Sequence, residues 1–201
     1  MSKMRGPWQV HATKEVYRNP WVSLTEHAVT RPDGEPGLYG VVGFANLALA
    51  ILPVLPDGHI VLVGQHRFPQ DRYSWEIPEG GGPLGEDPLE GAARELREET
   101  GYRAEHWREI LRMDLSNSVT DECAVGFLAT GLTPGEAEPD GTEALRIRHI
   151  HFRDALAEVK SGRIRDALTV AMLLQAYYMA REGELEDDLA AAMLEQGTRR
   201  A

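Results

Sequence analysis

At 201 residues, with 42% hydrophobic and 26% charged side chains, the chain has the make-up of one soluble globular domain large enough for a proper core. A formal net charge of −11 argues against a general nucleic-acid binder, which would present a basic face, and leaves any phosphate substrate in need of local help from metal or arginine. Cys123 is the sole cysteine, which excludes an intramolecular disulfide and a cysteine-based zinc cluster and suits a reducing, cytoplasmic setting. The opening MSKMRGPW lacks an apolar continuation, so no secretory signal is expected, and the most apolar run, residues 45–55, is too short to span a bilayer.

Two strand-like segments come first, residues 8–12 and 21–29, the second alternating with a period of two. Arg31-Pro32-Asp33-Gly34 reads as a turn. Residues 38–42 and 47–54 follow as strands, and Pro56-Asp57-Gly58 turns the chain into a strand over 59–64. The apolar runs on either side of that turn are expected to pair as a buried hairpin.

Residues 80–102, GGGPLGEDPLEGAARELREETGY, carry a glycine loop, a helix start and a charge run. Asp87 can cap the helix, Pro88 suits its first position, Glu90 falls where a capping-box acid reaches back, and Gly101 closes it. Leu89, Ala93, Leu96 and Thr100 form the predicted apolar stripe, with Glu95, Glu98 and Glu99 on a different face. Those three carboxylates are neighbours at three- and four-residue spacing, repelling by roughly 0.2–0.5 kcal/mol per pair. They also stand at the helix end that prefers positive charge. Arg94 offsets part of this, and a hard divalent cation, which takes carboxylate oxygens and substrate phosphates, would offset the rest. Most runs of this kind are simply solvated faces.

The wider pattern outweighs that plain reading. Gly80, five residues, Glu86, seven residues and then Arg94-Glu95-Leu96-Arg97-Glu98-Glu99-Thr100-Gly101-Tyr102 resembles the Nudix hydrolase signature at every fixed position, with Tyr102 a looser second apolar site. The resemblance implies an α/β fold, an α/β/α sandwich around a mixed β-sheet, and hydrolysis of a nucleoside diphosphate linked to another group. It also implies a loop and helix that hold Mg²⁺ or Mn²⁺ against a pyrophosphate. Gln65-His66-Arg67 and Trp75-Glu76-Ile77-Pro78-Glu79-Gly80 are similar to the Q-x-R and W-E-x-P-A-G segments of the subgroup acting on ADP-ribose and nucleotide sugars. By that likeness Arg67 contacts a phosphate, Glu76 lines the substrate site, and the carbonyl of Glu79 joins Glu95 and Glu99 as metal ligands. Glu98 is then a further ligand or a water-positioner, while Glu86 and Arg94 brace the loop. The same likeness makes residues 1–40 an antiparallel N-terminal extension of a single domain spanning 1–201, and a homodimerisation element.

Past the box, residues 107–113 and 124–129 read as strands. The loop between them, Leu115 to Glu122, has Ser116 and Asn117 where ADP-ribose pyrophosphatases usually carry a proline, which leaves the broader nucleotide-sugar class standing. A polar loop over 133–141 precedes a strand over 144–152, whose His149 and His151 lack a third ligand and are expected to be structural. Helices are predicted over 154–161, 165–181 and 184–196, the second with Ala167, Val170, Ala171, Leu174, Ala176 and Tyr177 inward. Trp75 is expected in the core, and Tyr73 and Trp21 are candidates to stack on a base. A metal-bound carboxylate is a poor proton acceptor, and the resemblance implies that the base that activates water is a glutamate on a later loop: Glu143 first, then Glu122, with Glu136 and Glu138 as further candidates. Two alternatives stay open: a Nudix enzyme for another nucleoside diphosphate derivative, and a Nudix domain that senses ADP-ribose without cleaving it.

Overall fold

A computed structural model describes residues 2–138 and 145–195. In chain order the strands and helices are β1 (Lys3–Arg5), β2 (Trp8–Arg18), β3 (Val22–Thr30), β4 (Pro36–Phe44), β5 (Asn46–Pro53), β6 (His59–Arg67), β7 (Arg72–Glu76), β8 (Glu79–Pro83), α1 (Pro88–Thr100), β9 (His106–Asp114), β10 (Cys123–Thr130), β11 (Arg146–His151), α2 (Phe152–Lys160), α3 (Ala167–Arg181) and α4 (Asp187–Leu194). They fall into two compact units, Met1–Leu47 with Met113–Cys123, and the remainder.

The first unit is an antiparallel meander in the order β1-β2-β3-β4. It contains the N-terminal extension and runs on to Phe44. Strand β2 is more than twice the predicted length because residues 11–18 are exposed, so no buried face imprints a period of two on them. Their pairing with β3 carries two register shifts. The 113–123 segment is stitched to β4 by Val42 N–H donating to Val119 O (2.8 Å) and by Phe44 N–H donating to Asp121 Oδ1 (2.9 Å).

The second unit mixes pairing types. Strands β5 and β10 run parallel within the order β8-β5-β10-β9, while β6 pairs antiparallel with both β11 and β7. Leu49, Ile51, Leu52, Ile60 and Leu62 are fully buried on these central strands. The expected hairpin of β5 and β6 is therefore corrected: one bridge, Val54 to Ile60, joins them before they part into different sheets. Strands apolar on both faces show that they are central without showing which partner each one takes.

Helix α1 is built as its sequence dictates, with Asp87 accepting from Leu89 N–H (2.9 Å), Pro88 at its first position and Gly101 at φ 76° closing it. Its buried face differs from the predicted stripe, since Leu89 and Ala93 are exposed while Ala92, Leu96, Glu99 and Thr100 are buried. The cause is close approach: a Cβ at Gly91 would stand 2.6 Å from Leu49 Cδ1, so the helix packs on its glycine side and turns Glu99 inward. Helix α3 is likewise rotated, burying Leu168, Thr169, Met172, Leu173, Ala176, Met179 and Ala180, while Ala167, Leu174 and Tyr177 are exposed. A helix apolar on nearly every side gives periodicity little to select. Among the described residues no helix is long and apolar enough to cross a membrane.

Candidate active site

The end of α1 meets the start of β8. Glu99, 3% exposed, accepts the Glu79 N–H at 3.0 Å, so the negative helix end is anchored by a backbone donor. Glu95 lies against the next residue: a Cβ on Gly80 would come within 2.2 Å of its carboxylate, and only glycine leaves that room. Arg94 ties the surroundings together, donating to Glu86 Oε1 (2.7 Å), Gly81 O (3.1 Å) and Glu95 Oε1 (3.2 Å). Burial works to lower the pKa of that guanidinium, but Glu95 and Glu86 outweigh it and hold it above the usual arginine range. Glu98 is half-exposed, 3.5 Å from Arg97 and 4.0 Å from Arg94.

A second arginine stands on the other side of the glycine loop. Arg67, at the end of β6, donates through Nε and Nη2 to Glu76 (2.9 and 2.5 Å) and through Nη2 to Glu79 Oε1 (2.6 Å). That accounts for three of the five guanidinium donors, and no bond from Nη1 is found among the described residues. The ion pairs raise the Arg67 pKa against the opposing effect of burial. Glu79 shows the reverse balance. Burial first, then the charges of Asp166 and Glu76, push its carboxyl well above the usual range despite Arg67, and its Oε2 is buried with no hydrogen-bond partner among the described residues.

Glu76, Glu79 and Asp166 each place a carboxylate oxygen within 4.8 Å of the others. Asp166 also caps α3 by accepting from Thr169 N–H at 2.7 Å, and Thr169 Oγ1 accepts the Ile77 N–H at 3.0 Å. The sequence reading assigned only a carbonyl to Glu79 and missed Asp166 and Thr169. A capping pattern around Asp166 is visible in the sequence, but its meeting with residues 76–79 is a long-range contact that no local pattern carries.

Arg67, Glu76, Glu79, Glu86, Arg94, Glu95, Glu98 and Glu99 are thus all in the second unit, in two bonded groups that meet at the glycine loop, Arg67 with Glu76, Glu79 and Glu99, and Arg94 with Glu86 and Glu95, while Glu98 stands 4.0 Å from Arg94. Glu122 belongs to the first unit, where burial and then Asp121 raise its carboxyl pKa. Glu143 lies outside the described residues. Glu138 donates its N–H to Glu98 O (2.9 Å), and with Glu136, Arg97, Gly101 and Arg103 it lines a cleft of about 460 Å³ at the end of α1. His149 bonds the Tyr102 hydroxyl (2.9 Å), and His151 caps α2 by accepting from Arg153 N–H (3.3 Å), both structural tasks. Trp75 is half-buried, with the Arg148 guanidinium 5.6 Å from its ring, while Tyr73 and Trp21 are exposed.

The donor set fits a hard divalent cation. Two all-oxygen groups are present: Glu95, Glu98 and Glu99, which repel at the unfavourable helix end, and Glu76, Glu79 and Asp166, whose oxygens converge and where Glu79 Oε2 is buried with no hydrogen-bond partner among the described residues. The residues that would hold such an ion are Glu95, Glu98 and Glu99, with Glu79 beside them.

Residues 46–170 match the NUDIX domain, and residues 8–42 match the nucleoside diphosphate sugar hydrolase N-terminal domain. An ADP-ribose pyrophosphatase of Bacillus subtilis is 34% identical over 79% of this chain and 86% of its own length. An ADP-sugar pyrophosphatase of Mus musculus is 29% identical over 87% and 88%, respectively. The fold matches a crystal structure of an ADP compounds hydrolase at a TM-score of 0.80 and 20% identity, covering 92% of this chain and 100% of that one. With the signature complete and its side chains gathered around one glycine loop, the chain belongs to the Nudix hydrolases.

Proposed function

We propose that this enzyme is a metal-dependent pyrophosphohydrolase that uses water to cleave a nucleoside diphosphate sugar, or ADP-ribose, into a nucleoside monophosphate and a sugar phosphate. The observation that carries the reading is the meeting of Glu95 and Glu99 with the Glu79-Gly80 backbone beside Arg67. The names of the relatives, ADP-ribose pyrophosphatase and ADP-sugar pyrophosphatase, support the substrate class.

Glu95, Glu98, Glu99 and the Glu79 carbonyl would hold the ion, with Mg²⁺ or Mn²⁺ the expected species, and such an ion would supply charge neutralisation for the diphosphate and activation of water. Arg67, fixed along its Nε and Nη2 edge, offers its two Nη1 donors to a phosphate, and a planar guanidinium keeps its charge throughout. Glu76 holds Arg67 in that pose and lines the site. Arg94 and Glu86 keep Gly81 and Glu95 in place. Because phosphorus–oxygen cleavage needs little covalent chemistry from a protein, such positioning and charge stabilisation supply most of the rate. Glu143 is the first choice for accepting the proton from water and Glu122 the second, with Glu98 as water-positioner.

The test is a panel of ADP-ribose, ADP-glucose, GDP-mannose and UDP-glucose with Mg²⁺, assayed for phosphatase-releasable phosphate. Turnover of at least one member, abolished by EDTA and by Glu99→Gln, is expected; an inert panel, or a fully active Glu99→Gln, refutes the reading. The β1 edge of the N-terminal meander, and the part of β4 before Val42 that the 113–123 segment does not bond along its backbone, are pairing templates that a second copy would cover, and we place a homodimer contact there. Sedimentation at about twice 22.3 kDa is expected, and a monomer at assay concentration rejects it. A cytoplasmic location suits the single cysteine.

A further inference from the structure

Strand β7 ends at Glu76 and β8 begins at Glu79, so residues 77–79 cross from one sheet to the other. Pro78 has no N–H, which leaves this crossing two backbone donors. Glu79 N–H goes to Glu99 Oε2 (3.0 Å), and Ile77 N–H goes to Thr169 Oγ1 (3.0 Å), a side chain 92 positions away and fully buried. Pro78 O accepts from Ile51 N–H at 2.9 Å. Three fixed bonds from three different elements therefore define the orientation of the Pro78–Glu79 peptide, whose amide holds Glu99 and which leads directly into the peptide that carries the Glu79 carbonyl.

We infer that Thr169 is a positioning residue for the metal ligands: its hydroxyl oxygen, ordered by the first turn of α3 and the Asp166 cap, sets the 77–79 backbone and through it the Glu99 carboxylate and the Glu79 carbonyl. This rests on the metal reading given above. The reason is geometric. Without Oγ1 the buried Ile77 amide has no acceptor, and the crossing segment must turn to find one, which swings the Glu79 amide away from Glu99. Partners one bond removed from a ligand commonly affect affinity strongly, because they decide which way its lone pairs point.

The experiment uses the full chain without substrate. Mn²⁺ binding is followed by electron paramagnetic resonance in the wild type, Thr169→Val, Thr169→Ser and Glu99→Gln, well below the melting temperature of each. Thr169→Val keeps the shape but removes the acceptor, and about 10- to 100-fold weaker Mn²⁺ binding is expected. Thr169→Ser restores the acceptor and is expected to restore binding and Mg²⁺-dependent kcat together. Thr169→Val with a lower Tm but wild-type Mn²⁺ binding overturns the inference, because it would show that the hydroxyl only stabilises the fold. If that variant does not fold, Thr169→Cys, whose thiol is a weaker acceptor, replaces it, with weaker binding expected and unchanged binding overturning the idea. Loss of binding in Glu99→Gln but not in the Thr169 variants rejects the positioning role alone; retention in Glu99→Gln rejects the metal reading and this inference with it.

Discussion

Arg67 and Arg94 flank the same glycine loop, are about equally exposed at 33% and 31% of the side chain, and each hold two glutamates. Their geometry separates them. Both terminal nitrogens of Arg94 are occupied, by Glu86, Gly81 O and Glu95, and Nε lies 4.0 Å from Glu98. Among the described residues Arg67 is gripped along one edge, by Glu76 and Glu79, with Nη1 left over. The lesson is that an arginine inside a carboxylate cluster is either a brace or a presenter, and which of its nitrogens are taken decides the role.

Gly80 stands between the two arginines and gives the sharpest way to divide them. A methyl at this position strikes the Glu95 carboxylate that Arg94 holds, while the Arg67 bonds to Glu76 and Glu79 lie on other residues. Because a glutamate head can move, Gly80→Ala is expected to fold. Displacing the ligand should nevertheless lower kcat by roughly 10²-fold or more, given what a misplacement of about 1 Å costs. Steady-state kinetics with a thermal melt checks this, and a Gly80→Ala enzyme of normal kcat would show that Glu95 has no fixed role.

The next effect is that of replacing each arginine by lysine, which keeps the charge and removes the fork. Arg94→Lys is expected to lower both Tm and kcat, since one ammonium cannot reach Glu86, Gly81 O and Glu95 together. Arg67→Lys is expected to raise KM by about tenfold with a smaller change in kcat, near the worth of one hydrogen bond to a charged group. If Arg67→Lys instead reproduces the Arg94→Lys pattern, the distinction between the two collapses and both are braces.

What the sequence made legible divides along similar lines. The box, its capping residues and the closing glycine are local, and α1 starts and stops where Asp87, Pro88 and Gly101 require. The burial of Glu99 was hidden, because it follows from Gly91 packing on Leu49, a long-range contact of helix α1 on strand β5. Helix α3 is the harder case. Its residues are apolar nearly all round, so periodicity favoured Leu174 and Tyr177, whereas the buried face follows Thr169, a polar residue chosen by its bond to Ile77. Strands β5 and β6 were both read as buried, yet their partners β10 and β11 come from much later in the chain, and alternation within a strand says nothing about that. The side chain of Glu79, in a position the resemblance reads as a bare carbonyl, could be interpreted only once Arg67 and Asp166 were found around it.

The turn at Gly58 has a consequence for how the protein is made. A Cβ at this glycine would stand 2.1 Å from Ala192 O, and Gly58 O accepts from Phe152 N–H at 3.0 Å, so this corner is seated against residues that are synthesised well after it. Strand β5 also waits for β10, about 76 residues later, which at about 5–20 residues per second is an interval of roughly 4–15 s. During that interval Leu49, Ile51, Leu52, Ile60 and Leu62 are on a nascent chain whose native cover is incomplete. The apolar strands that make the finished core so well buried therefore leave the growing chain with apolar surface still to cover, and a chain that stops short of Ala192 lacks the contact that closes the corner.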